Sequence, residues 1–69
     1  HPLVQSIQMA RSALRSKDAK GALQATLPIL KALPTWPGSW RLVGEAFQLH
    51  GDSVRAQSWF DRIDTLQAG

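Results

Sequence analysis

Few side chains in this 69-residue sequence are of the types that perform covalent chemistry. The chain has no cysteine, which excludes thiolate nucleophiles, disulfides and zinc–thiolate sites. His50 has no second metal ligand close to it in the sequence, and Asp52, Asp61 and Asp64 do not form a carboxylate pair directed at a cleft. No nucleophile–base motif and no phosphate-binding glycine loop is present. We therefore expect no enzymatic activity, no metal and no cofactor.

Basic side chains form the second group with recognisable chemistry. Eight Lys and Arg residues against five Asp and Glu residues give a formal net charge of +3, which mildly favours acidic partners. Arg11, Arg15, Lys17 and Lys20 lie close together in the sequence. The chain has no block of five or six like charges, and no stacking aromatic residues accompany this cluster. Nucleic-acid binding is therefore kept only as a weak alternative.

Helical periodicity places these side chains on four segments. Apolar residues recur at intervals of three and four, and they predict helices at about 3–16, 19–33, 37–50 and 53–67. No segment shows sustained period-two alternation, so no strand is expected. Because the connections are short, consecutive helices should be antiparallel neighbours. The predicted fold class is all-α, with two tandem helix-turn-helix hairpins.

Local signals set the ends of these helices. Asp18 is placed to cap the second helix, and Asp52 or Ser53 is placed to cap the fourth. Gly51 should end the third helix in a left-handed conformation. Pro28 lies inside the second helix, where its missing N–H predicts a kink or an early end.

The two halves of the sequence align when one is shifted by 34 residues. A fixed period of this size is typical of stacked helical repeats. The alignment predicts a single domain over residues 1–69, with repeat one at 3–36 and repeat two at 37–69. The aligned pairs include Ala10 with Gly44, Ala13 with Phe47, Asp18 with Asp52 and Ala22 with Ala56.

The second repeat carries large and small residues at fixed offsets, and the first keeps some of them. The second repeat has Trp40, Val43-Gly44, Phe47, the turn Gly51-Asp52, Ala56 and Phe60. This order resembles the tetratricopeptide repeat family, whose repeat is 34 residues long. The first repeat matches it less fully, because Ser6 and Thr26 stand where the family has large aromatic residues. The resemblance covers nearly the whole chain.

The resemblance implies a right-handed superhelix whose concave face is lined by the first helix of each repeat. It implies a protein–protein interaction module that docks a partner peptide or domain there, as part of a larger protein or assembly. Three arginines fall on this face, and arginine can bind a carboxylate through two hydrogen bonds, so an acidic peptide or a free C-terminus would fit. The implied partner-binding residues are Val4, Ile7, Arg11, Leu14, Arg15, Arg41, Glu45 and Gln48.

The last helix raises an alternative function. Stacked hairpins usually need about three repeats for stability, and only two are present here. An apolar face that includes Trp59, Ile63 and Leu66 should then lack a covering helix. This predicts homo-oligomerisation, with the chain acting as a scaffold element through that face.

Three tryptophans stand out in so short a chain. Trp40 is expected in the core and Trp59 at a packed, half-exposed position. Trp36 lies between prolines and should pack as a lid over the junction of the two repeats.

Composition and chain ends add little about the cellular setting. No stretch approaches the roughly 18 apolar residues that a membrane span needs. The compartment is open, with the cytoplasm as the default expectation. The chain begins at His1-Pro2 without an initiator methionine. We interpret it as an excised domain or a processed chain, and we expect His1 to be disordered and to be a cloning remnant.

Overall fold

Four helices in chain order make up the fold of a computed structural model, which describes residues 2–68 and the side chains of residues 3–66. They are α1 (Pro2–Arg15), α2 (Ala19–Ala32), α3 (Pro37–His50) and α4 (Ser53–Ala68). No strand occurs within residues 2–68. The predicted all-α class and the two hairpins are confirmed. The expectation of a disordered His1 lies outside the described residues.

The two hairpins turn through the same hydrogen-bonded motif. In the first turn, the N–H groups of Lys17 and Asp18 donate to carbonyls of α1, Lys17 to Leu14 at 3.1 Å and Asp18 to Ala13 at 2.8 Å. The second turn repeats this pattern 34 residues later, with Gly51 donating to Gln48 at 3.1 Å and Asp52 to Phe47 at 2.9 Å. This is the Schellman arrangement that satisfies the last carbonyls of a helix.

The turn residue itself differs between the hairpins. Gly51 has φ of 95°, as predicted for a left-handed helix end, and Lys17 takes the equivalent position with φ of 60°. Left-handed backbone is readily available to glycine but unfavourable for lysine. The first turn therefore holds a strained residue that the sequence pattern did not reveal.

Each second helix begins on an aspartate. The Asp18 carboxylate accepts a hydrogen bond from the Gly21 N–H at 3.1 Å, and the Asp52 carboxylate accepts one from the Arg55 N–H at 3.1 Å. These bonds satisfy N–H groups that have no partner within the helix. The predicted cap at Asp18 is confirmed, and of the two candidates for α4 the side-chain bond comes from Asp52.

Pro28 does not end α2. The helix continues through Ala32, and the Leu33 N–H donates to the Ile29 carbonyl at 2.8 Å. The predicted early end is therefore wrong. Tertiary contacts outweigh the lost hydrogen bond, because Ile29 directly follows Pro28 and is fully buried in the core.

Small residues allow the helices of each hairpin to approach closely. Ala10, Ala22 and Ala56 are at most 2% exposed. A Cβ atom built on Gly44 would lie 2.7 Å from Cε1 of Phe60, so no side chain fits there without movement. Between the hairpins, α3 packs against both α1 and α2. A buried cluster of Ala10, Ile29 and Leu42 fills this junction.

The linker between the hairpins is tied down by side chains of α3. Ser39 is fully buried, and its Oγ lies 3.0 Å from the Leu33 carbonyl and 2.7 Å from the Trp36 carbonyl. The Trp40 indole N–H donates to the Pro34 carbonyl at 2.9 Å. Trp40 is therefore half-buried at the linker, which corrects its predicted place in the core. The Trp36 ring lies against Gly38 in the first turn of α3 and is 37% exposed, so its predicted role as a lid over the junction stays a prediction.

Candidate functional site

The predicted partner-binding residues occupy exposed flanks of α1 and α3, which we call the α1–α3 face. The apolar members are graded in exposure: Val4 is 53% exposed, whereas Ile7 and Leu14 are half-buried against the core cluster. The polar members are all exposed. They are Arg11, Arg15, Arg41, Glu45 and Gln48.

Two open depressions divide this face. One, of about 340 Å³, is lined by Leu14 of α1 and by Glu45, Gln48 and Leu49 of α3. The structure thus brings three of the predicted residues together with Leu49. The other depression is about 250 Å³ and lies between α3 and α4. Arg41 lines it, so the three arginines do not share one pocket.

The arginines of the α1–α3 face have no ionic partner within the described part of the chain. The ion pair found there is the 3.4 Å contact between Arg55 Nε and the Asp52 carboxylate, on a different surface. Arg11, Arg15 and Arg41 are exposed and lie beyond ion-pair distance of any described carboxylate. Their guanidinium groups are therefore available to a carboxylate supplied by another molecule.

The predicted apolar face of the last helix is largely absent. Ile63 is only 6% exposed, so its assignment to an exposed interface is wrong. It packs inward because it aligns with Ile29, the central core residue of the first hairpin, at an offset of 34. Trp59 is half-buried, and Leu66 at 50% exposed is the most open of the three.

The outer surface of the second hairpin is also polar where the first hairpin is apolar. Ile7 and Leu14 pack at the junction that receives α3, and the residues 34 positions later are Arg41 and Gln48. A terminal repeat of a helical stack typically has such a polar outer face. A further hairpin in the same register would meet charged and amide groups there.

A strongly apolar concavity lies elsewhere, between α2 and α4, and the sequence analysis did not predict it. We call it the α2–α4 groove. No Cα atoms of these two helices lie within 8 Å of each other in the described part of the chain, and Val43 and Phe47 of α3 line the groove between them. The volume is about 380 Å³, and Gln24 is the one amide side chain in its lining. The lining residues are Leu23, Gln24, Thr26, Leu27, Leu30, Val43, Phe47 and Trp59.

Two features make the groove unusual for so small a chain. Leu27 on its α2 wall is 65% exposed, although burial of a leucine side chain is worth about 1.5–3 kcal/mol. On the α4 side, the Arg62 guanidinium lies 4.7 Å from the centre of the Trp59 ring, and that of Arg55 lies 5.8 Å from the Phe47 ring. Cations thus stack on both aromatic residues of the lining.

Among the described residues, no group of three or more His, Cys, Asp or Glu side chains is placed to hold a metal ion. None of the helices described above combines the length and apolarity that a membrane crossing requires.

Comparison with known proteins adds no relative. A scan against protein-family models, a search of curated proteins and a search of solved structures each find no match to this chain.

Proposed function

We propose that this chain is a non-enzymatic protein-interaction module of the tetratricopeptide type, which docks a partner peptide through the α1–α3 face. The observation that carries the proposal is the set of three exposed arginines on the α1–α3 face that have no ion-pair partner among the described residues. Leu14 and Leu49 add apolar surface in a depression that they share with Glu45 and Gln48. A peptide that supplies carboxylates and one or two apolar side chains would complement this surface.

The chemistry of the face favours an acidic peptide or a free C-terminus. Arginine presents a planar fork of donors that matches a carboxylate, and each such bond is stronger than a neutral hydrogen bond. Leu14 and Leu49 offer apolar contact between the charged positions. Glu45 in the same depression would repel a carboxylate of the peptide, and the Gln48 amide would accept a hydrogen bond from a donor. These two residues restrict where the acidic residues of the peptide can lie.

The test is binding of peptides from an array rich in acidic residues and free C-termini, measured with Arg15→Glu and Arg41→Glu. Both substitutions should weaken binding at least about tenfold, because each replaces an attraction by a repulsion. Val54→Glu is the control, since it adds a carboxylate at an exposed position of α4 that lines neither the depression beside Leu14 nor the α2–α4 groove. Equal binding by all three variants and the native chain would refute docking on this face.

Self-association through the last helix is the alternative that the structure weakens. Ile63 is buried, and the outer surface of the second hairpin carries Arg41 and Gln48. Light scattering across a range of protein concentrations should therefore give the monomer mass. A concentration-dependent dimer that Leu66→Glu abolishes would restore the scaffold account.

A further inference from the structure

We propose that the α2–α4 groove is a second docking surface, and that its occupant is an acidic amphipathic helix of a partner protein. The groove lies on different helix flanks from the α1–α3 face. This inference therefore stands or falls independently of the function proposed above.

The shape and lining of the groove favour a helix. Residues of α2 and α4 line the two sides of the groove, and Val43 and Phe47 of α3 line it between them, so an added helix would contact three helices at once. The 14 residues of α2 span roughly 21 Å at about 1.5 Å per residue. A helix of four turns would match this length, and it would present leucine-like side chains at spacings of three and four.

The uncovered apolar side chains supply the driving force. Leu27 at 65% exposed projects from the α2 wall, with Leu23 and Leu30 half-buried beside it. Trp59 is half-buried on the opposite wall. Large aromatic and leucine side chains around a pocket are typical of the centre of a helix-binding groove.

Charged side chains along the edges of the groove, which we call its rim, favour an occupant of negative charge. At about 100° per residue, Lys20 and Lys31 lie on the flank of α2 between two lining residues, Leu27 and Gln24. Arg55 and Arg62 stack on the aromatic residues of the lining at the opposite side. Both walls thus carry cations, and a helix with glutamate or aspartate on its two flanks would pair with them.

Carboxylates offset this rim only in part. Asp52 pairs with Arg55 at one end of α4, whereas Lys20, Lys31 and Arg62 have no ion-pair partner among the described residues. Asp61 accepts a hydrogen bond from Gln57 on a different flank of α4. A second copy of this chain is therefore a poor occupant. A two-fold contact between grooves would bring like charges together, which lowers affinity.

The probe is a synthetic amphipathic peptide of about 18 residues, with leucine at helical spacing on one face and glutamate on both flanks. A second peptide has lysine in place of every glutamate. Titration calorimetry with the native chain should give a Kd for the acidic peptide at least about tenfold below that for the basic one. Equal affinities, or no measurable binding of the acidic peptide, would overturn the proposal.

Variants locate the binding on the chain. Leu27→Glu should raise the Kd of the acidic peptide at least about tenfold, because it places a carboxylate on the apolar wall. Val54→Glu is the matched control: Val54 is 80% exposed on α4 and lies outside the groove lining, so the Kd should stay within about twofold. An unchanged Kd for Leu27→Glu would refute the groove as the site.

Replacing the rim lysines by glutamate tests the proposal without changing the apolar wall of the groove. The double variant Lys20→Glu/Lys31→Glu should remove the preference between the two peptides, because it sets two glutamates against Arg55 and Arg62 of the opposite wall. Arg15→Glu on the α1–α3 face should leave the preference unchanged. If Arg15→Glu weakens the acidic peptide and the double variant does not, the peptide binds the α1–α3 face and the groove proposal fails. A dimer of the free chain that Leu27→Glu dissociates would assign the groove to a second copy, which also overturns it.

Discussion

Replacing the left-handed turn residues should change stability in opposite directions in the two hairpins. Lys17 has φ of 60° and Gly51 has φ of 95°, within turns that share the same hydrogen bonds. A non-glycine residue in this conformation costs about 1–2 kcal/mol. Glycine removes that cost, but it also increases the conformational entropy of the unfolded chain, which lowers the free energy of unfolding by about 0.4–1 kcal/mol. Lys17→Gly should therefore stabilise the fold by about 0.5–1 kcal/mol, from the balance of those two effects.

Gly51→Ala is the converse experiment. A Cβ atom at Gly51 would meet nothing within 4 Å, so the substitution tests backbone conformation without steric overlap. It should destabilise by about 1 kcal/mol, with the same two effects reversed in sign. For a domain of this size, each kcal/mol moves Tm by about 4–8 °C.

Urea unfolding and thermal melts followed by circular dichroism would measure both changes. Lys17→Ala is the control, because it removes the lysine side chain but keeps a Cβ atom at positive φ. Its stability should stay within about 0.5 kcal/mol of the native chain, as for exposed sites generally. If Lys17→Gly is no more stable than Lys17→Ala, the reasoning about backbone strain in the first turn is wrong.

Two further perturbations test the packing and the caps. Gly44→Ala should destabilise by about 1–2 kcal/mol, because overpacking against the Phe60 ring exceeds the roughly 1 kcal/mol gained in helix propensity. In thermal melts, Gly44→Ala should lower Tm less in a Phe60→Leu background than in the native chain. If the two substitutions have additive effects on stability, Gly44 and the Phe60 ring are not in close contact. Asp18→Ala and Asp52→Ala should each cost about 1 kcal/mol, whereas the Asn variants should cost little because Asn caps equally well. Urea unfolding checks this, and equal losses for Ala and Asn would show that charge, not capping, stabilises the helix start.

Features set by a few neighbouring residues were predictable from the sequence. The cap at Asp18 and the left-handed end at Gly51 follow from side-chain and backbone chemistry within one turn. Lys17 escaped prediction, because lysine gives no signal for positive φ and the conformation is imposed by the hairpin. The early end that Pro28 offered for α2 does not occur, since the burial of Ile29 beside it outweighs one missing hydrogen bond, whereas the alternative of a kink stays a prediction.

Features set by the packing of distant segments were not predictable in the same way. Whether Ile63 is exposed depends on how α4 crosses α3, which periodicity along one helix does not define. The α2–α4 groove is lined by residues of three helices, so no single segment of the sequence carries its signature. The candidate residues of the α1–α3 face stay predictions, although the structure places Leu14, Glu45 and Gln48 around one depression.

The placement of the three tryptophans gives the molecule an optical readout without any label. The chain has no tyrosine, so its near-ultraviolet emission arises almost entirely from indole rings. Trp36 and Trp40 lie at the linker, whereas Trp59 lies in the groove under the Arg62 guanidinium. Variants that keep a single tryptophan would therefore report separately on the junction between the hairpins and on occupancy of the groove. Emission from Trp59 alone should shift to shorter wavelength when an apolar helix displaces water from its ring.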